Sequence, residues 1–195
     1  MVNHYFLMRH GESQANRQDL IISDPKTGCS LYGLTEKGRT QARTAALESG
    51  LPRYTVIVSS DFTRAKETAQ IVKETMKCKD DVALKPGLRE RYFGKLEGRS
   101  SVEYKRVWEA DSKDPHHTPF GAESPRHLAY RLRRVIDGLE QQYEGATILL
   151  VSHGDPLRFL QLEMAGRDLT EHMEIKHFLP AEIRALGEFV AAPRR

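Results

Sequence analysis

Two histidines in the sequence occupy the same local pattern, which consists of an apolar run, one polar residue, His-Gly and then an acid. His10 follows Arg9 at the end of the first run, and His153 follows Ser152 at the end of the second. Each run predicts a buried strand, so each histidine falls where a strand ends. A single histidine is more often a structural residue. The repeated pattern favours a functional pair instead, with the glycine allowing the backbone to approach a ligand.

A third predicted strand, 55–58, ends shortly before Arg64. Because ligands of open α/β sheets bind outside the carboxyl ends of strands, we expect Arg64 and Arg9 to meet both histidines there. Guanidinium groups offer forked donors to phosphate oxygens, and imidazole is a competent nucleophile. The three strand ends therefore predict phosphoryl chemistry, in which one histidine becomes phosphohistidine and the other donates to the transferring oxygens.

The attacking nitrogen of such a histidine must be neutral. Two neighbouring arginines favour the neutral ring by like-charge repulsion, although bound phosphate acts in the opposite direction. We expect the other ring nitrogen to donate its proton to a backbone carbonyl, which fixes the tautomer.

Helical patterns alternate with the predicted strands. Helices are predicted at 35–49, 61–76, 128–143 and 155–166, and strands at 5–8, 55–58, 147–151 and 183–190. Asp61 and Asp155 are each expected to cap the helix that follows, and Gly166 is expected to end the last helix. Alternating strands and helices predict an α/β sandwich.

The composition is that of an ordinary globular chain. It has 195 residues, with 30 Lys and Arg against 27 Asp and Glu and a formal net charge of +3. A chain of this length can bury a sizeable core, and we interpret residues 1–195 as a single catalytic domain. The segment 89–124 is interpreted as an excursion, or lid, over the active site. The basic residues are scattered, which argues against a nucleic-acid partner and suits a small anionic substrate.

The termini and cysteines indicate a cytoplasmic protein. Residues 1–9 lack the basic start of a signal peptide, and no stretch approaches the roughly 20 apolar residues of a membrane span. Cys29 and Cys78 are too few for a disulfide scaffold and are expected to be reduced thiols. No membrane partner is expected, and the oligomeric state is not predicted.

The motif Arg9-His10-Gly11-Glu12, placed directly after a first strand, resembles the signature of the histidine phosphatase superfamily. This group includes cofactor-dependent phosphoglycerate mutases, fructose-2,6-bisphosphatases and many broad phosphatases. The resemblance extends over about residues 5–165. It implies a phosphoglycerate mutase-like fold, a three-layer α/β sandwich with a mostly parallel central sheet flanked by helices.

The resemblance also implies roles for individual residues. His10 would be the nucleophile, with Arg9 as one phosphate clamp and Arg64, in Ser59-Ser60-Asp61-x-x-Arg64, as the other. Glu90, in Leu88-Arg89-Glu90, matches the proton donor, and His153 matches the second histidine. Further residues implied in phosphate or substrate binding are Asn16, Thr27, Gly28 and Gly154.

Three functions fit these residues. The first is a phosphatase that acts on small phosphomonoesters through phosphohistidine. The second is a phosphoglycerate mutase, but the mutases of the family carry a much longer insert after the proton donor, with paired arginines for the substrate carboxylate. The short segment from Glu90 to Gly121, and the similarity of Gly121-Ala122-Glu123-Ser124 to a segment common in phosphatases, favour the phosphatase. The third, a catalytically silent phosphate-binding module, is disfavoured because every key residue is present.

Other candidate residues have less specific explanations. His116 and His117 stand together on a Pro-rich loop without carboxylate or Cys ligands at suitable spacing, so a solvated loop is favoured over a metal site. No metal and no cofactor are expected, since Arg9, Arg64 and His153 supply positive charge. Trp108, with Tyr104 and Phe120, either covers the pocket or packs the excursion. The substrate itself is left open among sugar phosphates, nucleotide-loop phosphates, phosphoglycerates and phosphoprotein side chains.

Overall fold

A five-stranded sheet lies at the centre of the structure, a computed structural model that describes residues 1–192. In chain order the strands are β1 (His4–Arg9), β2 (Val56–Ser59), β3 (Ala83–Leu84), β4 (Thr147–Ser152) and β5 (Ile183–Ala185). Their order in the sheet is β3-β2-β4-β1-β5. β1 to β4 pair in parallel, and β5 is antiparallel to β1. The prediction of a mostly parallel central sheet is confirmed.

Seven α-helices connect and cover these strands within the described residues. They are α1 (Gln14–Arg17), α2 (Pro25–Gly28), α3 (Glu36–Glu48), α4 (Thr63–Met76), α5 (Tyr104–Asp111), α6 (Pro125–Gln142) and α7 (Gly154–Ala165). Single-turn 3₁₀ segments occur at Pro86–Leu88, Gly94–Leu96, Ser101–Glu103 and Pro119–Gly121, and a longer one at Leu169–Glu174. None of the helices described is long and apolar enough to cross a membrane.

The sheet is buried on both faces, as its apolar runs predict. Side chains alternate along each strand, so Leu7 and Leu150 point to a cluster that contains the apolar residues of α6 and α7. Met8 and Val151 point to a second cluster, which contains the apolar residues of α3 and α4. Helices therefore cover both faces, and the predicted three-layer α/β sandwich is confirmed.

Two predicted helix caps are wrong. α4 starts after Phe62, and the Asp61 carboxylate instead accepts hydrogen bonds from Arg89, at 2.7 Å to Nε and 2.6 Å to Nη2. α7 starts after His153, so its cap lies two residues before the predicted Asp155. In both cases the acid is engaged by an arginine side chain, an interaction that a local capping pattern does not reveal. Gly166 does end α7, in the left-handed conformation with φ of 65°.

The excursion 89–124 packs on a small core of its own. α5 contributes Val107, which is buried with Ile21, Phe93, Leu96 and Ala122. Tyr104 and Phe120 pack against this cluster. The segment is thereby anchored beside the carboxyl ends of the strands. The final strand is shorter than the predicted 183–190, since the chain turns at Gly187 with φ of 96°.

Candidate active site

The register of the sheet places three strand ends side by side. Arg9 at the end of β1 pairs with Ser152 at the end of β4, and the backbone N–H of His10 donates to the Ser152 carbonyl at 3.0 Å. At the end of β2, the Ser60 N–H donates to the Val151 carbonyl at 2.9 Å. The rings of His10 and His153 consequently lie 5.1 Å apart between centroids. The two strand–His–Gly motifs meet, as their spacing predicts.

The loop that follows His10 depends on close backbone packing. A Cβ on Gly38, in the first turn of α3, would lie 2.0 Å from the Glu12 carbonyl oxygen. A Cβ on Gly11 would lie 2.4 Å from the Gly38 carbonyl oxygen. Distances this short admit no side chain, so the two glycines allow the loop and α3 to touch. This contact holds the His10 backbone beside the sheet.

His10 is a neutral imidazole with a defined tautomer. Its Nδ1 lies 2.7 Å from the Gly11 carbonyl oxygen, which can only accept, so Nδ1 carries the proton. Its Nε2 accepts a hydrogen bond from Arg64 Nε at 3.0 Å. Burial, followed by the charges of Arg64 and Arg9, holds the pKa of His10 well below its usual range. Nε2 therefore presents a lone pair at neutral pH.

His153 is also neutral but is held differently. The Ser60 hydroxyl accepts from the Phe62 N–H at 3.3 Å and lies 2.9 Å from His153 Nε2. Within residues 1–192 the hydroxyl proton of Ser60 meets no other acceptor than Nε2, so it is donated to Nε2 and the ring proton of His153 lies on Nδ1. Burial, then Arg64 and His10, lower the pKa of His153 well below its usual range. Its Nδ1–H is a donor beside the His10 ring.

Three buried donors in this cluster have no hydrogen-bond partner among residues 1–192. They are Arg9 Nε, Arg64 Nη1 and His153 Nδ1. The two guanidinium groups are otherwise anchored, because Arg9 Nη1 donates to the Phe178 carbonyl at 2.7 Å and Arg64 Nη2 to the Ile22 carbonyl at 2.9 Å. An unpaired buried donor costs about 1–3 kcal/mol. Donors gathered around a nucleophilic nitrogen fit a tetrahedral oxyanion.

Glu90 faces the same cavity, which has a volume of about 370 Å³ and is also lined by Arg9, His10 and Arg64. One carboxylate oxygen of Glu90 accepts from the Arg91 N–H at 2.9 Å. Desolvation and the charge of Asp155 raise the pKa of Glu90 to about 7, against the opposing effects of Arg64 and Arg9. Such a carboxyl group can give or take a proton near neutral pH.

A buried ionic network lies behind the cavity wall. Asp155 accepts from Arg158 Nη2 at 2.6 Å and from Trp108 Nε1 at 3.0 Å. Arg91 donates to both carboxylate oxygens of Asp111, at 2.5 and 2.8 Å. Although burial alone raises it, Arg158 and Arg91 hold the pKa of Asp155 below its usual range. The network joins the excursion to α7, so it positions the aromatic residue Trp108 of α5.

Two of the implied substrate-binding residues, Asn16 and Gly154, line the cavity. The Asn16 side-chain oxygen accepts from the Ser13 N–H at 3.1 Å, which closes the first turn of α1. Its amide nitrogen is therefore the end available to a ligand.

Thr27 and Gly28 do not line the cavity, contrary to the expectation for them. The Thr27 hydroxyl donates to Glu97 at 2.8 Å. A Cβ on Gly28 would lie 2.4 Å from the Phe62 ring, so Gly28 provides space for that ring. Phe62 in turn contacts the His153 ring edge-on at 5.2 Å. Both residues support the site from outside.

The structure adds cavity-lining residues that the sequence did not single out. Asp19 and His177 both line the cavity. Tyr104 and Trp108, for which the sequence left a choice between covering the pocket and packing the excursion, also line it. His177 lies in a C-terminal segment without a motif, so no local signal identifies it. Within residues 1–192, no cluster of three or more His, Cys, Asp or Glu side chains is arranged to hold a metal ion.

Comparison with known proteins gives one consistent family. Residues 5–187 match the model of the histidine phosphatase superfamily (branch 1). The chain is 35% identical over 176 residues to the probable phosphoglycerate mutase GpmB of Photorhabdus laumondii, covering 87% of this chain and 77% of the relative. It is 29% identical over 187 residues to the metal-independent phosphoserine phosphatase of Arabidopsis thaliana, covering 90% and 76%.

Solved structures give the same result. A mycobacterial glucosyl-3-phosphoglycerate phosphatase superposes with a TM-score of 0.78 at 25% identity, covering 93% of this chain and 88% of the other. A variant phosphoserine phosphatase of Entamoeba histolytica, in complex with phosphoserine, superposes with a TM-score of 0.75 at 25% identity, covering 98% and 95%. The members similar to this chain are phosphatases or phosphoglycerate mutases. The chain belongs to the histidine phosphatase superfamily.

Proposed function

We propose that the protein is a phosphatase that hydrolyses small phosphomonoesters through a phosphohistidine on His10, without a metal. The proposal rests on one observation, namely which groups surround His10 Nε2. This nitrogen is neutral and faces Arg64, and the same cluster holds donors of Arg9, Arg64 and His153 that have no partner in the described part of the chain. Similarity to a metal-independent phosphoserine phosphatase supports the same chemistry.

In the first step, His10 Nε2 attacks phosphorus in line with the ester oxygen. The Nε2–P bond forms while the P–O bond to the alcohol breaks, and Glu90 gives its proton to the departing oxygen. Binding of the phosphoryl group draws Arg64 from Nε2 to a phosphoryl oxygen, which frees the lone pair. Arg9 and the Nδ1–H of His153 donate to the remaining oxygens as charge develops.

In the second step, water attacks the phosphohistidine. Glu90, now ionised, takes a proton from the water as the new P–O bond forms and the Nε2–P bond breaks. Inorganic phosphate leaves, and His10 returns to its neutral tautomer with Nδ1–H on the Gly11 carbonyl. The raised pKa of Glu90 suits both directions of proton transfer.

The second candidate is a phosphoglycerate mutase, which shares the first step but must return the phosphoryl group to substrate and exclude water. The 35% identity to a probable phosphoglycerate mutase favours it. The short segment from Glu90 to Gly121 favours the phosphatase, since the family resemblance implies a longer insert, with arginines for the substrate carboxylate, in a cofactor-dependent mutase. A silent binding module is disfavoured by the intact set of candidate catalytic residues.

We also propose a domain organisation for the chain and a cytoplasmic location. Residues 1–195 would act as a single catalytic domain with 89–124 as its lid; residues 193–195 lie outside the described part. Cys29 and Cys78 are both free thiols, which is in keeping with a reducing cytoplasm.

A panel of phosphate esters tests the proposal. We expect release of inorganic phosphate that continues in EDTA. Interconversion of 3- and 2-phosphoglycerate without phosphate release would support the mutase instead. Loss of activity in EDTA that a divalent cation restores would contradict metal independence.

A further inference from the structure

Besides the residues of the proposed chemistry, the cavity has further lining residues that would surround the alcohol part of the ester. They include Tyr104 and Trp108 from α5, His177 and Asp19. Because Arg9, Arg64, His10 and Glu90 are taken up by the proposed chemistry, these other residues decide which alcohol part fits.

The charges of the cavity lining disfavour an anionic alcohol part. Among the described residues that line the cavity, Arg9 and Arg64 are the only basic ones, whereas Asp19, Glu90 and Asp155 are acidic. Asp19 is exposed and accepts hydrogen bonds from the hydroxyls of Ser100 and Ser101. These hydrogen bonds lower the pKa of Asp19, so it is ionised at neutral pH. A substrate carboxylate would meet an acid and no free cation.

Arg158, a buried cation that contacts the lining residues Asp155 and His177, is already engaged. It is buried, its Nη2 donates to Asp155 at 2.6 Å, and its Nη1 lies 2.9 Å from His177 Nε2. Because that nitrogen of His177 accepts from a guanidinium, the imidazole keeps a lone pair there and stays uncharged. Neither residue can serve as a cationic receptor for a carboxylate.

The aromatic residues of the lining are held in place. Trp108 donates to Asp155, its ring stacks on Tyr104 with centroids 5.3 Å apart and planes 9° apart, and His177 lies 4.8 Å from it. Tyr104 packs edge-on against Phe93 at 4.5 Å. Rings fixed in this way bind a flat apolar group at low entropic cost.

We infer that the preferred substrate of this cavity is a phosphate ester whose alcohol part is uncharged and carries a flat apolar group, and that carboxylate-bearing esters are poor substrates. The inference rests on the proposed phosphatase function. The inferred substrate preference differs from that of relatives whose names specify phosphoserine or phosphoglycerate.

Three primary alkyl esters test the inference: 2-phenylethyl phosphate, propyl phosphate and 3-phosphoglycerate. Their leaving oxygens are similar, so differences in kcat/KM report how the alcohol part binds. We expect 2-phenylethyl phosphate to exceed propyl phosphate by about tenfold or more, the scale of an apolar pocket contact, and 3-phosphoglycerate to be the poorest. Hydrolysis of 3-phosphoglycerate as fast as of 2-phenylethyl phosphate would overturn the inference alone. No phosphate release from any ester would reject the proposed function and the inference with it.

Two variants assign the effects to residues. Asp19 has a left-handed φ of 56°, which Asn tolerates, so Asp19→Asn removes the charge with little strain. It should raise the ratio of kcat/KM for 3-phosphoglycerate to propyl phosphate by about two- to fivefold. Trp108→Leu should lower the ratio of 2-phenylethyl to propyl phosphate by about two- to tenfold. Tyr130→Leu, at an exposed position on α6, is the matched control. If both ratios stay at the wild-type value in variants that melt like wild type, the assignment is wrong.

Discussion

The two strand–His–Gly motifs have nearly the same sequence but hold their histidines in opposite ways. His10 gives its Nδ1 proton to the adjacent Gly11 carbonyl, so Nε2 faces Arg64 as an acceptor. His153 receives the Ser60 hydroxyl at Nε2, so Nδ1 is its donor. One ring presents a lone pair, and the other presents an N–H.

The difference shows that the hydrogen-bond partner, not the motif, selects the role of each histidine. The residue that precedes each histidine also contributes to the difference between the two motifs. Arg9 brings a guanidinium to the site, whereas the Ser152 hydroxyl donates to the Leu88 carbonyl at 2.7 Å and ties β4 to the segment before Glu90. In the proposed mechanism, one motif thus supplies the nucleophile and a clamp, and the other supplies a donor and supports the segment that contains Glu90.

Removing each ring in turn should give unequal losses. We expect His10→Ala to lower kcat/KM by about 10⁴-fold or more, because no nucleophile remains. His153→Ala should cost about 10²–10³-fold, the scale of one lost donor to a developing oxyanion. Wild-type enzyme quenched during turnover should carry acid-labile, alkali-stable label, and His10→Ala should carry none.

His4→Ala is the control for that comparison, since His4 is an exposed residue of the same strand as Arg9. It should retain wild-type activity. Equal losses in His10→Ala and His153→Ala, or label on a serine, would remove the distinction between the two rings.

Glu90→Gln tests whether Glu90 donates a proton to the departing oxygen when His10 attacks phosphorus. The loss in kcat/KM should be about 10²–10⁴-fold for propyl phosphate, whose departing oxygen needs a proton. It should be clearly smaller for nitrophenyl phosphate, with phosphohistidine accumulating because water attack lacks its base. The acid must be protonated, so wild-type kcat/KM for the alkyl ester should fall as pH rises through about 7. The Glu90→Gln variant should not show this fall in kcat/KM with rising pH.

Glu109→Gln, at an exposed acid of α5, controls for a general charge effect. Equal losses for both esters, without accumulated phosphoenzyme, would make Glu90 a structural or binding residue.

Arg64→Lys should lower kcat/KM by about a hundredfold. Arg64 directs Nε to His10 and keeps Nη1 unpartnered in the same cluster, and a lysine point charge cannot serve both positions. Steady-state kinetics with propyl phosphate measures the loss. Arg39→Lys, in a partly exposed pair with Glu67, is the matched control. An unchanged kcat/KM in Arg64→Lys would contradict forked clamping.

Much of the fold and of the central site follows from local sequence. Buried β-branched and aliphatic runs predict β1, β2 and β4, and the parallel arrangement of these strands then brings His10 and His153 together. The two-residue strand β3 and the short helices α1 and α2 carry too few residues for a periodic pattern. They form because tertiary contacts support them.

The parts that sequence misses depend on partners distant in the chain. Asp155 follows a capping pattern, but its carboxylate accepts from Trp108, 47 residues away in the chain, as well as from Arg158 in its own helix. Gly28 follows a family pattern, but here it makes room for Phe62. His177 reaches the cavity from a segment without a motif. In each case the side chain's partner decides its function, and that partner is set only when the chain has folded.

Ser60→Ala gives the smallest expected effect and the sharpest test of how the two histidines differ. The Ser60 hydroxyl donates to His153 Nε2 and so keeps the ring proton on Nδ1. Without this hydroxyl, the neutral ring can carry its proton on either nitrogen. We expect kcat/KM to fall by about two- to tenfold, the size of one neutral hydrogen bond. In a His153→Ala background the same substitution should cost nothing more, because the ring that it orients is gone. Ser59→Ala, which removes a hydroxyl bonded to the Ser60 carbonyl rather than to a histidine, is the control. Additive losses in the double variant would show that Ser60 acts on the site directly and that its proton does not select the role of His153.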